Sequence, residues 1–263
     1  MTSNSPRPAN PADPELYPDL AAAGSLAEAL ESAAAEQGLD LGAIQRNDSE
    51  PLRSAGVTST DADRAPCWVF VGVKSRWFSI NGWSQGIELL TGTTSDLAEV
   101  ARAAAGWRSG VGLGEIQRVA PFIKVSELVA AHEVGPAEAV SVQWGLLCDD
   151  LRRQAGRLEP ARQTLALAEV AAEEPKLRQL YPFTSHWSLH FSTCTGFPYA
   201  WDVPFVDLLK DGRYRVCGPA RGTVVGEADT AEQAIALVLA GLPADCGPAV
   251  AGTAGDLAQP DPA

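Results

Sequence analysis

The stretch that decides the fold is Cys67–Thr91, CWVFVGVKSRWFSINGWSQGIELLT. Its apolar positions are β-branched, aromatic or aliphatic, and they come in short runs. Lys74-Ser75-Arg76 and Ser84-Gln85-Gly86 interrupt them. Runs of that length, rich in residues that pack on a pleated surface and separated by turn formers, predict three antiparallel strands in a meander. Immediately downstream the period changes. Asp96 stands where an N-cap would, Glu99 follows three residues later, and Leu97, Val100, Ala101, Ala104 and Trp107 recur at helical spacing up to Gly110. This predicts a helix with one buried stripe.

Working towards the N-terminus, residues 46–66 read as a polar linker, and Leu16–Leu41 as a helix ended by Gly38, with Ser25 and Glu28 supplying capping chemistry. In the other direction, residues 111–180 are mostly of helical pattern, and Pro160 suits the start of a helix because its missing N–H is an orphan there anyway. Strands return at His186–Phe191, Phe205–Leu209, Tyr214–Cys217 and Thr223–Gly226, with Lys210-Asp211-Gly212 as a hairpin turn. A last helix opens at Asp229, with Glu232 three residues on.

The expected fold is α+β: two antiparallel β-meander-plus-helix lobes, 67–110 and 181–243, flanking a helical middle, 111–180, with an N-terminal helix within 15–45. Residues 1–14 and 244–263 are too poor in apolar side chains to offset the entropy of ordering and are expected to be loose tails. Asp96-Leu97-Ala98-Glu99 and Asp229-Thr230-Ala231-Glu232 open the two lobe helices alike. That fits either a duplication or the same capping chemistry used twice.

Charge and cysteine usage narrow the function classes. A formal net charge of −13 disfavours nucleic acid. The nearest basic cluster, Arg152, Arg153 and Arg157, sits beside Asp149 and Asp150 and reads as a solvated helix face. Five dispersed cysteines without a C-x-x-C pair argue against a disulfide framework and a structural zinc site. No stretch approaches the ~20 apolar residues of a membrane span, and the N-terminus lacks a secretory pattern, so a cytoplasmic location is expected. No phosphate-loop, zinc-protease or serine-hydrolase motif is present. Gly110-Val-Gly112-Leu-Gly114 follows a helix, not a strand, and reads as a connector.

The segment Tyr181–Tyr214 is where a site is expected. It carries nine of the eighteen aromatics (7 Trp, 4 Tyr, 7 Phe) and two of the three histidines. On a strand, Trp187, Leu189 and Phe191 would face one side and His186, Ser188 and His190 the other. The two imidazoles would then lie about 13 Å apart, too far to share one metal ion. Another arrangement is a Cys194 thiolate activated by His186 or His190, with Asp202 or Asp207 orienting the imidazole. The ring-rich loop Thr195–Asp202, with Tyr199 and Trp201, would either cap the sheet or line a pocket with Ser188.

Four stretches, LYPFTSHWSLHF (180–191), GEADTAE (226–232), TSDLAEV (94–100) and YPDLAAAG (17–24), resemble an uncharacterised actinobacterial family labelled as natural-product biosynthesis proteins. The resemblance implies a role in or near secondary-metabolite production and brings no assigned catalytic residue. The expectation is a cofactor-free tailoring enzyme or a binding protein for a small-molecule intermediate. The alternative is an acidic protein-interaction module, immunity- or chaperone-like, without catalysis.

Overall fold

A computed structural model describes residues 13–220 and 222–257. The fold is α+β, with two five-stranded antiparallel sheets among the described residues and a helical stretch between them in sequence. It divides into two compact units at Ser126/Glu127. Among the described residues no helix is long and apolar enough to cross a membrane.

The first unit opens with α1 (Pro18–Ala23) and α2 (Leu26–Ala35), where one helix was expected. Gly24 adopts φ +90°, which ends α1 in the left-handed region at little cost to a glycine. Ser25 then caps α2, its Oγ accepting from the Glu28 N–H at 3.1 Å. Next come β1 (Ile44–Arg46), β2 (Ser54–Val57), β3 (Cys67–Val71), β4 (Phe78–Ser84) and β5 (Ile87–Thr94), each paired antiparallel with its neighbour in sequence. The expected linker, 46–66, therefore holds a strand, β2, and β1 ends at its first residue. Their signal is faint because β2 buries small residues, Ser54, Ala55 and Gly56, with no large apolar alternation.

α3 (Leu97–Arg108) and α4 (Leu113–Val119) follow, and Asp96 caps α3 as expected, its carboxylate accepting from the Ala98 N–H at 2.8 Å. Cys67, Val69, Phe78, Ile80 and Leu90 are buried on the sheet. Trp107 is buried against Gly82, where a Cβ would stand 2.8 Å from the indole. Tyr17 is also buried: its hydroxyl accepts from the Trp77 N–H at 3.1 Å, and the Gly72, Ser75 and Trp77 carbonyls lie within its donor reach.

The second unit contains α5 (Glu127–Val134), α6 (Pro136–Ala155), α7 (Glu159–Glu173) and α8 (Pro175–Arg178). These precede β6 (Tyr181–Ser185), β7 (Ser188–Ser192), β8 (Phe205–Leu208), β9 (Tyr214–Cys217) and β10 (Val224–Ala228), then α9 (Ala231–Ala240) and α10 (Ala254–Leu257). The second sheet is again a meander, in the order β10-β9-β8-β7-β6. Leu189, Phe191, Val206, Val216 and Ala228 pack with Trp144, Leu147 and Leu151 of α6, Leu167 and Ala171 of α7, and Ile235 and Val238 of α9. The Trp144 indole N–H donates to the Leu180 carbonyl at 3.2 Å.

Three local expectations are corrected. Asp229 is not the cap of α9: Thr230 is, accepting from the Gln233 N–H, so the cap stands one residue later in the Asp-x-x-Glu frame than Asp96 does. The strand expected at His186–Phe191 begins only at Ser188, as β7, and meets a further strand before it, β6, at a hairpin. His186 (φ 49°) and Trp187 (φ 74°) occupy its corner. Residues 246–252 are not loose: Cys194 bridges Val250, the Ala249 N–H donates to the Gln179 carbonyl, and Ala249 is buried. Residues 1–12 and 258–263 of the expected tails lie outside the described residues.

Candidate functional site

The second sheet buries one face against helices and leaves the other available. On that second face the ladder places residues in two rows that run across the strands. Phe183 pairs with His190. The Leu189–Val206 pairing sets His190 beside Phe205, which pairs with Cys217, which in turn pairs with Val224. The adjacent row is polar: Ser188, then Asp207 opposite Arg215, then Glu227. Alternation along a strand puts residues two apart on the same face, so both rows share one surface.

His190 lies within the first row. Its ring stacks on Phe183 (centroids 5.0 Å, planes 15° apart) and on Phe205 (4.4 Å, 24°), and Trp201 stands edge-on at 4.6 Å. Burial drives its pKa down to about 4, and the nearby Asp207 only partly opposes this. His190 is therefore a neutral imidazole at physiological pH.

Asp207 organises the polar row. Ser188 Oγ donates to Oδ1 at 2.5 Å, and the Cys217 thiol donates to Oδ2 at 3.5 Å. A carboxylate has about four acceptor positions, so these two donors leave capacity for a third. Burial and then the Asp207 charge raise the Cys217 pKa, which keeps the thiol protonated and a poor nucleophile. Arg215 is held by Glu227 at 3.0 Å. A groove of about 710 Å³ opens here, lined by Trp201, Phe205, Asp207, Arg215, Cys217 and Val224 among others.

The expected site residues divide into three groups. His190, Ser188 and Trp201 belong to this surface. Tyr199 is nearby but serves mainly as cover: its ring lies 4.6 Å from Phe183 and 5.4 Å from Tyr181. His186, Cys194 and Asp202 are elsewhere.

His186 is exposed on the hairpin corner beside Ser185 Oγ (3.3 Å), because positive φ there takes it off the strand and out of the expected row with His190. Cys194 is fully buried, with Sγ 3.7 Å from the Gly196 carbonyl and 3.4 Å from Ser192 Oγ. Asp202 accepts from Thr193 Oγ1 and borders a different cleft with Cys246 and Val250. The expected cysteine–histidine–aspartate arrangement is therefore not assembled. Sequence reading passed over Phe205, Arg215 and Cys217. The usable signal was the alternation of Arg215 and Cys217 with buried Tyr214 and Val216 on one short strand.

Among the described residues no group of three His, Cys, Asp or Glu side chains is placed to hold a metal ion. All five cysteines are free. Residues 138–253, under half of the chain, match a family described as a family of unknown function, DUF6193. No curated protein and no solved structure matches the chain. The match fits the expectation of an uncharacterised family and carries no chemistry with it.

Proposed function

We propose that this chain is a cytoplasmic small-molecule protein of natural-product biosynthesis, from an actinobacterial family, that binds a flat intermediate on the open face of its second sheet. Of the two roles expected, tailoring enzyme and intermediate-binding partner, the binding role is the better supported. The observation that carries it is the pair of parallel rows, with rings in one and an incompletely satisfied carboxylate in the other, bordering one groove. Cys217, the thiol that lines that groove, donates to Asp207 and not to an imidazole, which does not make it an activated nucleophile.

Trp201 and Phe205 offer faces for a planar ring, and Asp207 offers an acceptor for an N–H donor, above all a protonated amine. The matched probes are tryptamine and indole-3-propionate, which share a ring system and differ in charge. In calorimetric titration tryptamine should bind more tightly than indole-3-propionate. Asp207→Asn should lower tryptamine affinity about tenfold, the effect of ~1.4 kcal/mol, and Trp201→Ala should abolish the response without changing the fold. Equal binding of both probes by the wild type and by Asp207→Asn would remove the carboxylate from the site. The biosynthetic half of the reading has its own test. Deleting the gene should remove or shift a metabolite seen by mass spectrometry, and an unchanged profile would count against it.

The alternative, an acidic interaction module, is favoured by one observation in the first unit. Trp68 and Phe70 stack at 6.4 Å on β3, and Phe70 and, on β4, Trp83 are exposed. Exposed rings on a chain of net charge −13 suit a basic, aromatic-rich partner.

A further inference from the structure

We propose that the first unit carries a second binding site, for an organic monocarboxylate, in the cleft formed by the segment after α2 together with α3 and α4. The cleft has a volume of about 420 Å³ and is lined by Leu39, Ala105, Val111 and Val119, with Arg102 and Arg108. That is within the range of small-ligand sites.

Arg108 carries the argument. Its Nε is buried and has no acceptor, and its guanidinium makes no ion pair among the described residues. The Nε itself is sealed against Gly42, so a bound acceptor would be met by the other four N–H groups of Arg108, a residue that lines the cleft. The group is also placed by design of the backbone. It lies against Gly42, where a Cβ would stand 2.5 Å from Nε, and Gly42 holds φ +59°. The Gly42 N–H donates to Asp40 Oδ1 at 2.8 Å, which occupies one oxygen of an acid that borders the same cleft.

Arg102 adds a second positive charge. It donates to the Val119 carbonyl at 3.0 Å and to Gln37 Oε1 at 2.6 Å, both neutral acceptors, and leaves three of its five N–H groups unspent on them. Two guanidinium groups without a carboxylate partner among the described residues share one cleft, in a chain of net charge −13.

The rest of the lining sets the ligand class. Leu39, Ala105, Val111 and Val119 suit an apolar body. Asp40 and Glu115 stand exposed at the same cleft, Glu115 paired with Arg118 at 3.4 Å. Both lie within a Debye length of an entering ligand and would repel additional negative charge, which selects a monoanion over a polyphosphate.

The test is calorimetric titration of the full chain with decanoate, 4-phenylbutyrate and inorganic phosphate. The expected result is saturable binding of at least one of the two organic acids, weakened at least tenfold by Arg108→Gln and unchanged by Arg46→Gln, an exposed arginine paired with Glu28. In the wild-type chain, the ¹⁵Nε–¹H signal that Arg108→Lys removes should move on titration, which keeps the test open if Arg108→Gln fails to fold. Failure of both acids to bind at millimolar concentration, equal binding by Arg108→Gln, or binding of phosphate alone would each overturn the assignment.

Discussion

At His190 three rings replace water on nearly every side, and the imidazole responds by staying neutral. The consequence for stability has a definite sign. The unfolded chain protonates this residue below about pH 6.5, while the folded chain resists until about pH 4. Its contribution is therefore complete above pH 6.5 and is lost as pH falls through about 4, by roughly 3 kcal/mol in all. His132, also depressed by burial, acts in the same direction. Urea unfolding at pH 7 and pH 4.5 should show His190→Phe, which keeps a ring in the stack, losing less stability on acidification than the wild type. An identical loss would mean that His190 is more hydrated than its packing implies. The aromatic concentration that flagged this region was legible in the sequence, and so were His190, Ser188 and Trp201. His186 was misplaced because Ser185-His186-Trp187-Ser188 contains no glycine, asparagine or proline to announce a hairpin. Arg215 and Cys217 were passed over because two polar positions on a four-residue strand look the same whether they face bulk water or a groove.

Elements with strong local chemistry were the legible ones. β3, β4, β5 and α3 follow directly from alternation, turn residues and a cap. β1 and β2 escaped because what makes them strands is pairing, β1 with β2 and β2 with β3, and not a local run of large apolar residues. Capping also decided the comparison between the two lobes: Asp96 caps α3, whereas Thr230 caps α9 and the Asp229 N–H instead donates to Gln233 Oε1. Thr230→Ala should therefore cost about 1 kcal/mol in urea unfolding, and Asp229→Ala clearly less. Reversal of that order would restore the Asp229 cap and the residue-by-residue correspondence of the two helix starts. A sharper effect is expected on β4. Gly82→Ala would drive a methyl group into the Trp107 indole and should lower stability by about 1–3 kcal/mol, measured in the same way.

At the level of the whole molecule, the division at Ser126/Glu127 falls inside the helical middle, so α4 belongs to the first unit and α5 to α8 to the second. The boundary lies at the end of the non-helical stretch 120–126 between α4 and α5, where Pro121 was the available signal. The apolar residues packed in the second unit, from Val140 to Ala249, all come from its own segment. Residues 127–263 produced alone should therefore give a cooperative thermal transition and the dispersed amide spectrum of a folded domain. A non-cooperative melt would show that this half needs the rest of the chain.

The strand order bears on how the protein is made. In both sheets every strand pairs with the one before it in sequence, so no segment has to wait for a distant partner still to be translated. Each ladder can lengthen in the order in which residues leave the ribosome, with short loop closures at each step. The amino-terminal sheet can thus be complete while the carboxy-terminal one is still being synthesised.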